Sequence, residues 1–120
     1  MNENDYIRKV LAAYRQTPTT DGLVRRSDRR FAAELYRRGV PLAVVENALI
    51  LGASRRLYRD LDAPPLAPVR SLHYFRGLIE EVAMLPLKHP QAYFDYLRHG
   101  IETFEQRKQA FLQSRQARKT

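Results

Sequence analysis

Apolar residues recur along this chain at helical spacing, and no window shows the strict alternation of a strand. Tyr6, Ile7, Val10, Leu11 and Tyr14 fall three and four residues apart, which places them on one side of a first helix. The Asn- and Asp-rich start, Asn2 to Asp5, supplies its caps. Thr17 to Gly22 breaks the pattern with Pro18, Asp21 and Gly22, each a turn former for a definite backbone reason. The spacing then predicts a second helix with Ser27 as N-cap and Phe31, Ala32, Leu35 and Tyr36 as its apolar face. Gly39 stands where a left-handed residue ends a helix. Pro41 suits the first turn of a third helix, where its missing N–H costs nothing.

Leu42, Val44, Val45, Ala48, Leu49 and Leu51 give that third helix a broad buried face, and Gly52 marks a place for it to end or bend. Pro64, Pro65 and Pro68 hold the next segment as a stiff extended loop. Ser71 is the expected cap of a fourth helix, with Leu72, Phe75, Leu78, Ile79, Val82 and Leu85 inward and Pro86 closing it. A last helix begins near Pro90. Phe94, Leu97, Ile101, Phe104 and Phe111 form a narrow stripe along it, interrupted at Lys108 and weakened at Gly100. The expectation is an all-α, compact bundle of about five helices. Residues 1–89 form its helical core, and 90–120 add an amphipathic, basic C-terminal helix and tail to the same domain.

A length of 120 residues allows one modest core. Without cysteine there is neither a disulfide framework nor a thiolate metal site. Met1 to Asp5 is acidic and has no apolar core of a signal peptide. The longest apolar run, Leu42 to Leu51, is interrupted by Glu46 and Asn47 and is too short to span a bilayer. A soluble cytoplasmic protein with no membrane partner is expected.

Charge changes the picture most. The formal net charge is +8, and 17 of the 21 basic residues are arginine. Arg25, Arg26, Arg29, Arg30, Arg37 and Arg38 face only Asp28 and Glu34 in their segment; Arg55, Arg56 and Arg59 have no acid among them. Arg70 and Arg76 bracket the start of the fourth helix, and Arg107, Lys108, Arg115, Arg118 and Lys119 follow the last acid, Glu105. Such a charge attracts polyanions, and the guanidinium fork matches phosphate oxygens and guanine edges. These residues are the candidate DNA-binding set. Their phosphate contacts would set affinity and salt dependence, not sequence choice. Tyr58 and Tyr74 lie beside arginines and are candidates for base stacking, although core packing is the favoured place for Tyr74. DNA is favoured over RNA as the partner, but guanidinium recognises either backbone.

Glu34 to Leu49 has the form of a helix-turn-helix, with Gly39 in the turn and Val45 and Ala48 buried downstream. Leu35 departs from it, because a small residue usually lets the helices cross there. The helix after the turn offers Glu46 and Asn47 but no cation before Arg55, poor material for reading a major groove. Catalysis has little to build on. His73, His89 and His99 form no i, i+4 metal pair. Glu80-Glu81 and Asp60/Asp62 have no nucleophile beside them, and there is no glycine-rich phosphate loop. No enzyme, no cofactor and no metal are expected.

Val45-Glu46-Asn47-Ala48, followed by Ser71-Leu72-His73-Tyr74 with Leu78 and Val82, resembles the C-terminal domain of DnaD-type replication proteins. Those domains carry a V-x-x-A helix and then a helix of the form S-L-x-Y-x-x-x-I-x-x-x-W. Tyr74, Leu78 and Val82 stand at the Tyr, Ile and Trp positions, and this chain has no Trp. The resemblance spans Val44 to Val82, about a third of the chain. It implies an all-α module of replication initiation or restart that binds single- and double-stranded DNA, self-associates and contacts other replication proteins. It further implies Tyr74 and Leu78 as framework and Arg70 and Arg76 as contacts. In general character the chain is also similar to small replication proteins of plasmids and other mobile elements.

The sequence thus predicts a non-catalytic, arginine-rich DNA-binding protein, an accessory or initiator in replication of bacterial or mobile-element DNA. Self-association through the 94–111 stripe is part of that expectation. The alternatives are a helical adaptor that docks on an acidic protein surface and a helix-turn-helix transcriptional regulator. DNA binding of this kind requires guanidinium groups from separate helices to converge once the chain folds.

Overall fold

A computed structural model describes residues 1–59, 64, 66–85 and 90–119, without the side chains of 118 and 119. Asp60, Asp62, Pro65, Pro86, His89 and the side chains of Arg118 and Lys119 therefore lie outside the described residues. The order is α1 (Glu3–Gln16), α2 (Arg26–Arg37), α3 (Leu42–Leu57), a 3₁₀ turn (Leu72–Phe75), α4 (Arg76–Ala83), α5 (Pro90–Glu102) and α6 (Phe104–Lys119). The fold is all-helical. Among the described residues the sole extended pairing is an isolated parallel bridge, Thr20 to Val69.

α3 is the central element and packs against α1, α4 and α5, while α2 lies on α1 and on the 3₁₀ turn. Val10, Tyr14, Phe31, Leu35, Val45, Leu49, Leu72, Phe75 and Phe94 form the heart of one core. Phe94 carries that core beyond residue 89 and makes α5 an integral part of it. The apolar faces read from the sequence as far as Leu97 lie in the core or pack against it. Tyr74 is 49 % exposed, so its expected place in the core is corrected. A 3₁₀ turn has three residues per turn, which aligns Leu72 with Phe75 on the inner side and turns Tyr74 outward.

Local chemistry explains the helix ends. Asn2 Oδ1 accepts the Asp5 N–H at 2.8 Å. The second helix starts earlier than expected: Arg25 is its N-cap and Ser27 lies inside it. The carboxylate of Asp28 accepts the Arg25 N–H at 2.8 Å. Gly39 closes this helix with φ 73°, and the Val40 N–H reaches back to the Leu35 carbonyl at 3.0 Å, as in a Schellman motif. Pro41 is the N-cap of α3, one position outside the first turn. Gly52 neither ends nor interrupts α3, which runs on to Leu57. Ser71 Oγ accepts the His73 N–H at 3.1 Å, the cap expected of it.

The single long last helix is two. Tyr58 donates its hydroxyl hydrogen to the Gly100 carbonyl, and Thr103 Oγ1 reaches the same carbonyl at 3.3 Å and that of His99 at 3.1 Å. Side chains thus occupy the Gly100 carbonyl, the acceptor that would carry the helix forward, a recognised cause of kinks. Beyond the break α6 runs on largely exposed, and the molecule is accordingly long, 58 × 35 × 20 Å.

Tyr14 combines a side chain without accessible surface with a hydroxyl that has no hydrogen-bond partner among the described residues. Burial, aided by the Asp28 and Asp21 carboxylates, pushes its phenol up to about 12 from 10, against a smaller opposing effect of Arg25. A raised folded-state pKa contributes stability that is complete below pH 10 and is lost as pH rises through about 12. Tyr14→Phe is expected to be as stable as the parent at pH 8 or more so, because an unpaired buried hydroxyl is removed. Urea unfolding from pH 8 upward should show the parent losing stability relative to this variant above pH 10. Parallel curves would contradict the assignment.

Candidate nucleic-acid interface

The 3₁₀ turn is the junction on which the basic segments meet. Asp28 fixes it to the start of α2: its Oδ1 accepts the Leu72 N–H at 2.9 Å and lies 3.3 Å from Ser71 Oγ. The outward residues of the turn then pack on α2. The His73 ring stacks on Phe31 at 4.5 Å, 17° from parallel, and the Arg76 guanidinium lies over the same phenyl ring at 4.6 Å. Arg25 donates to the carbonyl of Arg70. On the other side of the turn the Arg56 guanidinium lies 5.4 Å from the Tyr74 ring centre and donates to the Ala67 carbonyl. Arg26, Arg30 and Glu34 follow at i, i+4 and i+8, a single stripe of α2, and Glu34 meets Arg76 at 3.6 Å.

Arg25, Arg56, His73 and Arg76 therefore meet around one short turn, with half-exposed Tyr74 beside Arg56 and Arg70 just before it, while Arg26 and Arg30 lie along the neighbouring helix. Arg29 is exposed and stands about 100° round the helix from Arg30. Arg59 donates to the Pro64 carbonyl. The cations of α6 belong to a separate elbow: Arg107 lies 5.9 Å from the Tyr58 ring and Lys108 6.0 Å from that of Phe104. Arg115 lies further along α6, over Phe111. Arg107 and Lys108 thus stand at the α5–α6 elbow, apart from the cations of the 3₁₀ turn.

Several of the candidate cations are already paired. Arg55 grips Glu81 through both carboxylate oxygens, at 2.9 Å for Nη1 to Oε2. That hydrogen bonding raises the arginine pKa and holds Glu81 below the usual carboxylate range. Arg25 meets Asp21 at 2.9 Å, with the same two effects. Arg37 meets Glu3 at 3.3 Å and Arg38 meets Glu34 at 3.9 Å. Arg26, Arg29, Arg30, Arg56, Arg59, Arg70, Arg107 and Lys108 have no carboxylate partner among the described residues. A paired arginine already has its charge offset nearby, so the arginines without a carboxylate among the described residues define the site more sharply than the cluster count did.

The helix-turn-helix expectation is met in its turn alone. α2 and α3 pack on other elements more than on each other. Val45, Asn47, Ala48, Leu49, Leu51, Gly52, Ala53 and Ser54 are all buried, which leaves α3 a narrow outer strip of Ala43, Glu46, Ile50 and Arg55. The 94–111 stripe is also largely used inside the molecule: Phe94 and Leu97 pack in the core, and Phe104 meets Tyr58 edge-on at 5.3 Å. Phe111 and exposed Leu112 remain on α6. Sequence reasoning missed Asp28 as the clamp, and it left Tyr96 and His99 without a role. Their signal, an aromatic and a histidine three apart beside Gly100, becomes visible only when Tyr58 is placed against them.

No group of three metal-ligating side chains occurs among the described residues, and none of their helices is long and apolar enough to cross a membrane. No family model matches the chain, no curated protein matches it, and no solved structure matches it.

Proposed function

We propose that this protein is a non-catalytic nucleic-acid-binding module, DNA being favoured over RNA, which holds phosphates around the 3₁₀ turn. The observation that supports this most is the meeting of Arg56, which has no carboxylate partner among the described residues, with the aromatic-anchored His73 and Arg76 around the turn that Arg70 leads into. Guanidinium groups held on rings and carbonyls lose less freedom on meeting a phosphate than free side chains would. Tyr74 offers a base a π-face next to them. The regulator reading is less favoured, because the outer strip of α3 is narrow and offers no cation before Arg55. A place in replication rests on the likeness of Val44–Val82 to DnaD-type domains. In that likeness Tyr74, half exposed here, is better placed for contact than for framework.

Fluorescence anisotropy with single-stranded DNA, duplex DNA and RNA of equal length, each over a range of salt, tests the reading. Log affinity for the duplex should fall with log salt by about 0.9 for each phosphate neutralised. Arg70→Ala should weaken binding and lower that slope by about one unit, whereas Arg55→Ala, whose side chain is held by Glu81, should leave the slope nearly unchanged. A flat salt response in all three nucleic acids would remove the proposal, and binding confined to acidic proteins would favour the adaptor.

A further inference from the structure

The break between α5 and α6 opens a cavity of about 310 Å³ that the turn-centred site does not use. Its aromatic walls are Tyr58 and Tyr96, its rim carries His99 and Arg107, and Leu97, Gly100 and Ser54 complete the lining. We propose that this elbow binds one unstacked nucleotide, the base against the tyrosines and the phosphate at Arg107 and His99. The inference rests on the nucleic-acid reading and deepens it, because an unstacked base is offered by a single strand and not by a duplex.

The chemistry of the lining selects this ligand class. Two aromatic rings and a leucine suit a flat, weakly polar group, while an arginine and a histidine supply donors to an anion. No carboxylate among the described residues lines the cavity, so a cationic ligand would find no counter-charge. Its volume lies at the lower end of the range for small-molecule sites.

The site is also pre-formed. The Tyr58 hydroxyl is anchored to the Gly100 carbonyl, its ring is braced edge-on by Phe104, and Arg107 Nη1 lies 3.3 Å from the same hydroxyl. A Cβ at residue 100 would stand 3.3 Å from that oxygen, so glycine gives the anchor room. Tyr96, 74 % exposed, is the free wall and can close on a base without disturbing the core.

The test uses the full chain and Tyr96→Ala, whose exposure leaves folding intact. Tyr93→Ala is the control: Tyr93 is an exposed tyrosine of the same helix that does not line the cavity. With a single-stranded oligonucleotide carrying one fluorescent purine, Tyr96→Ala should lose about tenfold in affinity. It should lose nothing on the matching duplex and keep the parent's salt slope, and Tyr93→Ala should behave as the parent. Equal losses on strand and duplex, or no loss on either, would overturn the pocket while the phosphate-binding turn stands.

Deoxyadenosine monophosphate alone, followed by NMR, separates the two ideas. Shifts at Tyr58 and Tyr96 that vanish in Tyr96→Ala would support the pocket even if polymers failed to bind. A mononucleotide that leaves both rings unmoved, together with no single-strand loss, would remove it.

Discussion

Asp28→Ala should be the most damaging single substitution in this chain, lowering stability by about 3 kcal/mol or more at neutral pH. The side chain has no exposed surface. One carboxylate oxygen accepts the Arg25 N–H at 2.8 Å and the other the Leu72 N–H at 2.9 Å. It therefore caps α2 and starts the 3₁₀ turn with the same group. Alanine leaves both donors unpaired, one of them in a fully buried bond, and each unpaired buried donor costs about 1–3 kcal/mol. Lost capping adds to that. Domains of this size hold about 5–15 kcal/mol in all, so the urea midpoint should fall by a large fraction. Asp28→Asn keeps one acceptor oxygen and should fall between the two. Where the alanine variant remains folded, Arg70, His73 and Arg76 lose their common anchor, and salt-sensitive affinity should drop with stability. A loss below about 1 kcal/mol would mean that the two elements are not joined through this carboxylate.

The same carboxylate shows where sequence reading succeeds and where it stops. The apolar faces, the closure at Gly39 and the cap at Ser71 follow from local periodicity and backbone preference, and all are present. Ser27 is as good a cap as its neighbours when only the local sequence is considered. Asp28 is chosen because it can also satisfy Leu72, 44 residues away. The break before α6 has a similar origin, since Tyr58 is 42 residues from the carbonyl it takes.

Tyr74 follows from geometry instead of distance. An α-helical period carried back from Leu78 and Val82 points it inward, and the tighter 3₁₀ period puts Leu72 and Phe75 there in its place. For the cations, the sequence conveys abundance and clustering but not which charge is spent. Arg55 and Arg56 are adjacent, yet one is held by Glu81 and the other lies on Tyr74. The abundance of arginine was legible in composition. The placing of Arg107 beside Tyr58 depends on contacts that no local pattern encodes.

Gly52→Ala and Gly77→Ala should change stability in opposite directions, although both glycines are helical. In water-exposed helix interiors alanine is favoured over glycine by up to about 1 kcal/mol. At Gly77, exposed on α4, an added Cβ meets nothing within 4 Å, so the variant should gain part of that amount. At Gly52 the same atom would stand 2.6 Å from Phe75 Cε1, 2.9 Å from Leu78 Cδ1 and 3.0 Å from Phe75 Cδ1. Phe75 has no exposed surface and meets Tyr14 and Tyr74 edge-on at 6.3 and 5.2 Å, so its ring has nowhere to retreat. Overpacking of this kind costs about 1–3 kcal/mol, which exceeds the propensity gain. Gly52→Val, with two further methyl groups, should cost more than alanine.

Urea unfolding of the three variants beside the parent reads the order directly: Gly77→Ala highest, then parent, then Gly52→Ala, then Gly52→Val. The close approach of α3 to Phe75 is what seats the 3₁₀ turn with Tyr74 outward beside Arg56. A Gly52→Ala protein as stable as Gly77→Ala would therefore count against the position of the turn, and against the arrangement of cations built upon it.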